Sequence, residues 1–293
     1  YEGIDSQGGL AHMVIATERR DAVVHPAGPQ QLPLVRVRNV RDLGGYAYRA
    51  EDGSQGETAY GVFLRGPSLR KLTTGDYEYL QEYGEGLKCV VDLRSDFEVG
   101  HWPGPYACGR DGVTYVHVQM LDQLNSGKFR DALPDRMSTV YKGLLDNHAS
   151  SIRRVMESID AFGQDGCTLF HCRAGKDRTG VVAMLLLGLA GVSDEDIVAD
   201  YAATQRYLGR GLRAQRVAVS ALLCRRAPRC LFEAIPAEME LTLEHLHERY
   251  GTVREYLEGH AGVPVAVLDR IAHRLGLVDR FAGVRCAGKF MNG

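Results

Sequence analysis

The chain has 293 residues, 45% hydrophobic and 25% charged, with a formal net charge of −2. That balance fits one large folded domain, or one with an added subdomain, and gives no general pull toward nucleic acid or an anionic membrane. Its seven cysteines are odd in number and form no Cys-x-x-Cys pair, which argues against a disulfide framework and a thiolate metal site.

Residues 1–12 lack an apolar pattern and read as an expression scar ahead of Met13. Residues 13–34 hold Pro26, Pro29 and Pro33 and read as an extended lead-in. A single domain is expected over 35–293. No charged segment followed by a long apolar run marks a signal peptide, so cytoplasmic placement is the default, with export by another route as the alternative. The longest apolar run, 181–190, is about half the length of a membrane span.

"VRVRNVRDLGG" (35–45) alternates and then breaks at two glycines. "YGVFLRG" (60–66) and "LKCVVDLRS" (87–95) read as strands followed by loops. Between them, "TTGDYEYLQEYG" has a capping threonine, helical spacing and a terminating Gly84. "GVTYVHVQM" (112–120) alternates as a strand. The polar "LDQLNSGKFRDALPD" after it reads as a loop able to cover a site, and it contains Asp122. Residues 136–163 carry the spacing of two helices. "CTLFH" is a buried strand, and 179–191 is a helix apolar on nearly every side. "SDEDIVADYAATQRYL" starts a further helix at Ser193. Strands concentrate in the first 170 residues, and a helical part is expected from about 211. The fold class is α/β, with a helical C-terminal extension or lid.

The chemistry concentrates in "HCRAGKDRTG" (171–180), between the buried strand and the buried helix. Gly175 permits the turn that folds a loop back on itself. Backbone N–H groups running from a strand end into a helix start can then converge on one anion, and Arg178 can grip phosphate oxygens as a fork. Cations and a helix N-terminus also favour the thiolate of Cys172. Arg173, Ala174, Gly175 and Lys176 complete a phosphate-binding loop. Cys167 also has an arginine six positions on, but the residues between lie along a strand and cannot curl around an anion. Cys172 would attack phosphorus, forming a cysteinyl-phosphate that water hydrolyses, with no metal or cofactor required. Thr179 fits as a hydroxyl donor to the thiolate. His171 either orients the cysteine backbone or fills the core. Arg173 and Lys176 suit a substrate with more than one negative group, unless one of them points to solvent.

"HCRAGKDRTG" resembles the active-site loop of the cysteine-dependent tyrosine phosphatase superfamily. Its Lys-Asp before the arginine is similar to the atypical bacterial tyrosine and lipid phosphatases. "NVRDLGG", "FLRGPSLRKL", "VVDLRSDFE", "DIVADY" and "YGTVREYLEG" resemble that group in the same chain order, over roughly 35–277. The resemblance implies a tyrosine-phosphatase-like, mainly parallel central sheet flanked by helices. It also implies Asp177 as the general acid, since Trp102-Pro103 is not followed by aspartate. Asp177 could instead merely neutralise Lys176 or Arg173. Asp122 is the second candidate acid and Asp92 the third, though Asp92 and Arg94 read better as a supporting ion pair.

The expected activity is that of a tyrosine or dual-specificity protein phosphatase. A phosphatase of phosphoinositides, or of a small phosphorylated metabolite or nucleoside, is the alternative. A rhodanese-type sulfurtransferase and a non-catalytic phosphate-binding module are remote ones. The expected partner is a phosphorylated substrate rather than nucleic acid. The arginine-bearing segment from Gly211 to Arg229 reads as a packed amphipathic helix, a lid or a membrane-surface contact.

Overall fold

The computed structural model describes residues 31–110, 112–121, 134–222, 224 and 226–276. The expected scar, most of the lead-in and Asp122 lie outside them.

Strands β1 (Arg41–Asp42), β4 (Phe63–Gly66), β5 (Leu87–Asp92), β6 (Thr114–His117) and β7 (Cys167–His171) form one sheet in the order β1-β4-β7-β5-β6. β1 pairs antiparallel with β4, and the other neighbours are parallel. The C-terminal ends of the four parallel strands therefore share one edge, where open α/β sheets bind ligands. β7 is central, and its last residue, His171, pairs with Gly66 on one side and Asp92 on the other. A hairpin of β2 (Ala47–Arg49) and β3 (Gln55–Glu57) stands apart from the sheet; the sequence reading did not anticipate it.

Side chains alternate across the sheet, as the strand period requires. Leu64, Leu87, Val90 and Leu169 face a smaller core closed by Leu80 and residues 32–40. Phe63, Cys89, Val91 and Phe170 face a larger core built by the helices. Helix α1 (Thr74–Glu82) starts at a capping box between Thr73 and Asp76. Helix α2 (Asp96–His101) starts at a second, between Ser95 and Glu98. Helices α3 (Met137–Asn147) and α4 (Ala149–Gly163) are the expected pair.

Helix α5 (Asp177–Ala190) leaves the loop after β7 and is buried on nearly every side. No side chain caps its N-terminus, so its first amides are left for another acceptor. Helix α6 (Asp194–Leu222) runs unbroken through Gly209 and Gly211. Of the segment expected over Gly211–Arg229, residues 211–222 are the last part of this helix. Helix α7 (Pro236–Tyr250), a π-helical turn (Tyr256–His260) and helix α8 (Val265–Gly276) complete the described chain. No helix among the described residues is long and apolar enough to cross a membrane.

Candidate active site

Cys172 follows the last residue of β7 and is almost fully buried. The loop after it turns at Gly175, whose φ is +71°. A Cβ there would lie 2.5 Å from the carbonyl carbon of Gly66, so the close approach of the loop to β4 requires glycine. The Asn39 amide donates to the carbonyls of Ala174 (3.2 Å) and Gly175 (3.3 Å), and Arg65 Nη2 donates to Gly175 O at 3.0 Å. These bonds tie the loop to neighbouring elements, and the start of α5, which no side chain caps, is a place where an anion can bind.

Behind the loop, Arg65 and Arg41 both pair with Asp200 of α6, and Arg41 Nη2 also donates to the Asp200 carbonyl at 2.8 Å. Arg41 in turn donates to the Asn39 side chain. Burial opposes ionisation of Asp200, but the guanidinium groups of Arg65 and Arg41 outweigh it and hold the carboxyl below its usual range. "NVRD", "FLRG" and "DIVADY" thus meet in one buried brace.

Arg178 lies at the start of α5. Its Nη1 donates to Glu98 Oε2 at 2.6 Å and its Nη2 to Oε1 at 3.2 Å. Burial works against the charge of Arg178, while Cys172 and Glu98 raise its pKa. Burial likewise opposes ionisation of Glu98, but Arg178 holds its carboxyl down. Glu98 also caps α2 through the Ser95 amide at 3.0 Å, so one carboxylate fixes both a helix start and the direction of the guanidinium fork.

Asp92 accepts from Arg94 through both carboxylate oxygens and from Tyr115 Oη at 2.9 Å. Burial pushes its pKa up, yet His171 and Arg94 outweigh it and bring it to about 2. Asp92 and Arg94 thus form the buried ion pair expected of them. His171 Nδ1 lies 3.1 Å from the Cys172 carbonyl. Burial lowers its pKa against the pull of Asp92, and since a carbonyl can only accept, Nδ1 is the donor in that bond.

Lys176, expected to face the substrate, lines the cavity over the loop but has its ammonium engaged by the protein. Its ammonium donates to the carbonyls of Cys230 (2.9 Å), Leu231 (3.1 Å) and Glu233 (3.2 Å), and its side chain is 1% exposed. Those carbonyls converge at the end of a short 3-10 turn, Arg229–Leu231, and hold the ammonium beside Asp177. Arg173 remains at the surface, 5.2 Å from the centre of the Trp102 ring. Asp177 Oδ1 accepts from Tyr141 Oη at 2.5 Å and lies 3.3 Å from Lys176 Nζ. Thr179 is fully buried, and its hydroxyl has no hydrogen bond among the described residues. Burial drives the Cys167 thiol well above its ordinary pKa, in keeping with its place inside a strand.

A cavity of about 900 Å³ opens over the loop. Cys172, Arg173, Asp177 and Arg178 line one side, with Leu208, Leu212 and Val219 of α6 among the other lining residues. Arg36, Arg38, Arg70 and Lys71 also line it. Among the described residues, no group of three or more His, Cys, Asp or Glu side chains could hold a metal ion. Glu98, Asn39, Arg65, Asp200 and Tyr141 were not foreseen as site residues. The one local signal was the Ser95-x-x-Glu98 pattern, which is a capping-box signature.

The sequence profile of the tyrosine phosphatase family matches residues 32–276. A tyrosine-protein phosphatase of Nostoc commune is 36% identical over 149 residues, or 50% of this chain and 49% of that protein; the match spans about half of that relative's length. A Cupriavidus necator protein with the provisional name of a tyrosine-protein phosphatase is 28% identical over 88% of this chain and 93% of its own. The triple specificity protein phosphatase PtpB of Mycobacterium tuberculosis is 30% identical over 55% of this chain and 68% of its own.

Proposed function

The chain belongs to the tyrosine phosphatase family, and on that premise we propose that it hydrolyses phosphate monoesters as a tyrosine or dual-specificity protein phosphatase. The observation that carries this reading is the meeting of Cys172, the Arg178 fork and Asp177 on one cavity at the uncapped start of α5. The phosphoryl oxygens would sit among the amides there and the guanidinium of Arg178. The sulfur of Cys172 attacks phosphorus while the bond to the ester oxygen breaks, and Asp177 gives its proton to that oxygen. Water then attacks the cysteinyl-phosphate. Its proton goes to Asp177, the sulfur–phosphorus bond breaks, and inorganic phosphate leaves. Thr179, with its unpaired hydroxyl, would donate to the departing thiolate.

A second reading keeps the mechanism and changes the substrate. Arg36, Arg38, Arg70, Lys71 and Arg173 all line the cavity. That excess of cations favours substrates with a second anionic group, such as an acidic phosphopeptide or a phosphoinositide. A panel of phosphotyrosine and phosphoserine peptides, phosphoinositides and phosphorylated nucleosides, compared by kcat/KM, separates the two. Phosphotyrosine peptides are expected to lead. A higher kcat/KM for a phosphoinositide or a small phosphomonoester would overturn the protein-phosphatase reading and leave the mechanism standing.

A further inference from the structure

Two phenols lie buried beside the active-site loop with few polar partners. Tyr141 of α3 and Tyr201 of α6 are each 1% exposed. Burying a hydroxyl costs about 1–3 kcal/mol unless it is hydrogen-bonded. Among the described residues their hydroxyls bond to each other and to Asp177: Tyr141 Oη donates to Asp177 Oδ1 at 2.5 Å, and the two hydroxyl oxygens are 2.9 Å apart. A phenol has one proton to give. Since that of Tyr141 goes to Asp177, Tyr201 is the donor in the second bond. Burial, and after it the charge of Asp177, pushes both phenols above their ordinary pKa, so both keep their protons.

The last glycine of "HCRAGKDRTG" makes room for this arrangement. A Cβ on Gly180 would lie 3.0 Å from Tyr201 Cδ2, closer than packed carbon atoms ordinarily approach. Without one, the Tyr201 ring rests against the first turn of α5 and meets the Tyr141 ring edge-on, 78° apart in plane.

We propose that Tyr141, backed by Tyr201, is a positioning residue for the carboxyl group of Asp177. The proposal rests on the reading of Asp177 as acid and base. The terminal torsion of an aspartate is broad, so an unheld carboxyl samples many orientations. Tyr141 and Lys176 engage Oδ1, and Oδ2 has no hydrogen bond among the described residues. Oδ2 is then the oxygen left to carry the proton to the ester oxygen, and later to take one from water. Fixing the carboxyl plane lowers the cost of reaching the reactive geometry.

The test compares kcat/KM for p-nitrophenyl phosphate, which has a good leaving group, with that for phenyl phosphate, which has a poor one. Inhibition by orthovanadate reports whether the anion cradle is intact. Tyr141→Phe should lose about ten-fold on phenyl phosphate, stay within about two-fold on p-nitrophenyl phosphate, and keep its orthovanadate inhibition. Tyr201→Phe, which leaves the direct donor in place, should show the same pattern with a smaller loss. Added to Asp177→Asn, the Tyr141→Phe change should cost nothing further, as expected of residues acting through one group. If Asp177→Asn discriminates between the leaving groups and Tyr141→Phe loses equally on both, or on neither, the positioning role is overturned and the acid role stands. If Asp177→Asn itself loses equally on both, the acid reading falls and this inference falls with it.

Discussion

Arg178 needs two things at once: a counter-charge that keeps it in place without a substrate, and freedom to present its remaining N–H groups to one. Glu98 supplies the first by accepting one hydrogen bond from each terminal nitrogen. Buried as it is, this pair would cost more to separate than a surface pair. Glu98→Gln keeps the shape and removes the charge. It should lower kcat/KM by about ten- to a hundred-fold and weaken orthovanadate inhibition in parallel. Unchanged values for both would mean that the fork is held by something else. Lys176 teaches the opposite lesson about charge. Its place in the phosphate loop with Arg173 suggests a substrate contact, yet three carbonyls from residues 230–233 claim the ammonium. A cation's place in the chain says little about which acceptors it will meet.

At the scale of elements, the loop is shaped by segments far from it in sequence. β1, β4 and α6 each contribute one member of the Arg41, Arg65 and Asp200 cluster, and Arg65 passes the restraint on to the Gly175 carbonyl. Asp200→Asn would leave two buried guanidinium groups short of a counter-charge, a loss of roughly 3–5 kcal/mol. The Asp200 carboxyl is held below its usual pKa, so its stabilisation is fully present above the unfolded-state pKa, about 4. It is lost as pH falls through the depressed folded value. The gap in thermal stability between Asp200→Asn and the parent chain should therefore be wide at neutral pH and shrink in strong acid. A small gap at neutral pH would contradict the brace. The sequence showed these motifs only through resemblance, because a buried triad joined across 159 residues leaves no local pattern. Helix α2 did leave one, in Ser95 and Glu98. It was read as loop because six residues are too few to show helical periodicity.

For the molecule as a whole, the parallel order around β7 explains why so short a motif can carry so much. The central strand ends just before Cys172, its neighbours end at Gly66 and Asp92, and the most buried helix begins one turn later. Cys172, Gly175 and Arg178 were legible because strand, turn and helix are consecutive in the chain. The α/β class and the strand and helix order were legible for the same reason. The cavity was not, since its far side is the last part of α6, a segment far from the loop in sequence that read as a packed helix, a lid or a membrane contact. Covalent catalysis by Cys172 is tested most directly by acid-quenching a phosphatase reaction during turnover and mapping phosphate by mass spectrometry. A phosphate adduct on the peptide containing Cys172, absent from Cys172→Ser together with the activity, is the predicted result. Sustained turnover by Cys172→Ser, or turnover by the parent chain with phosphate never found on sulfur, would contradict it.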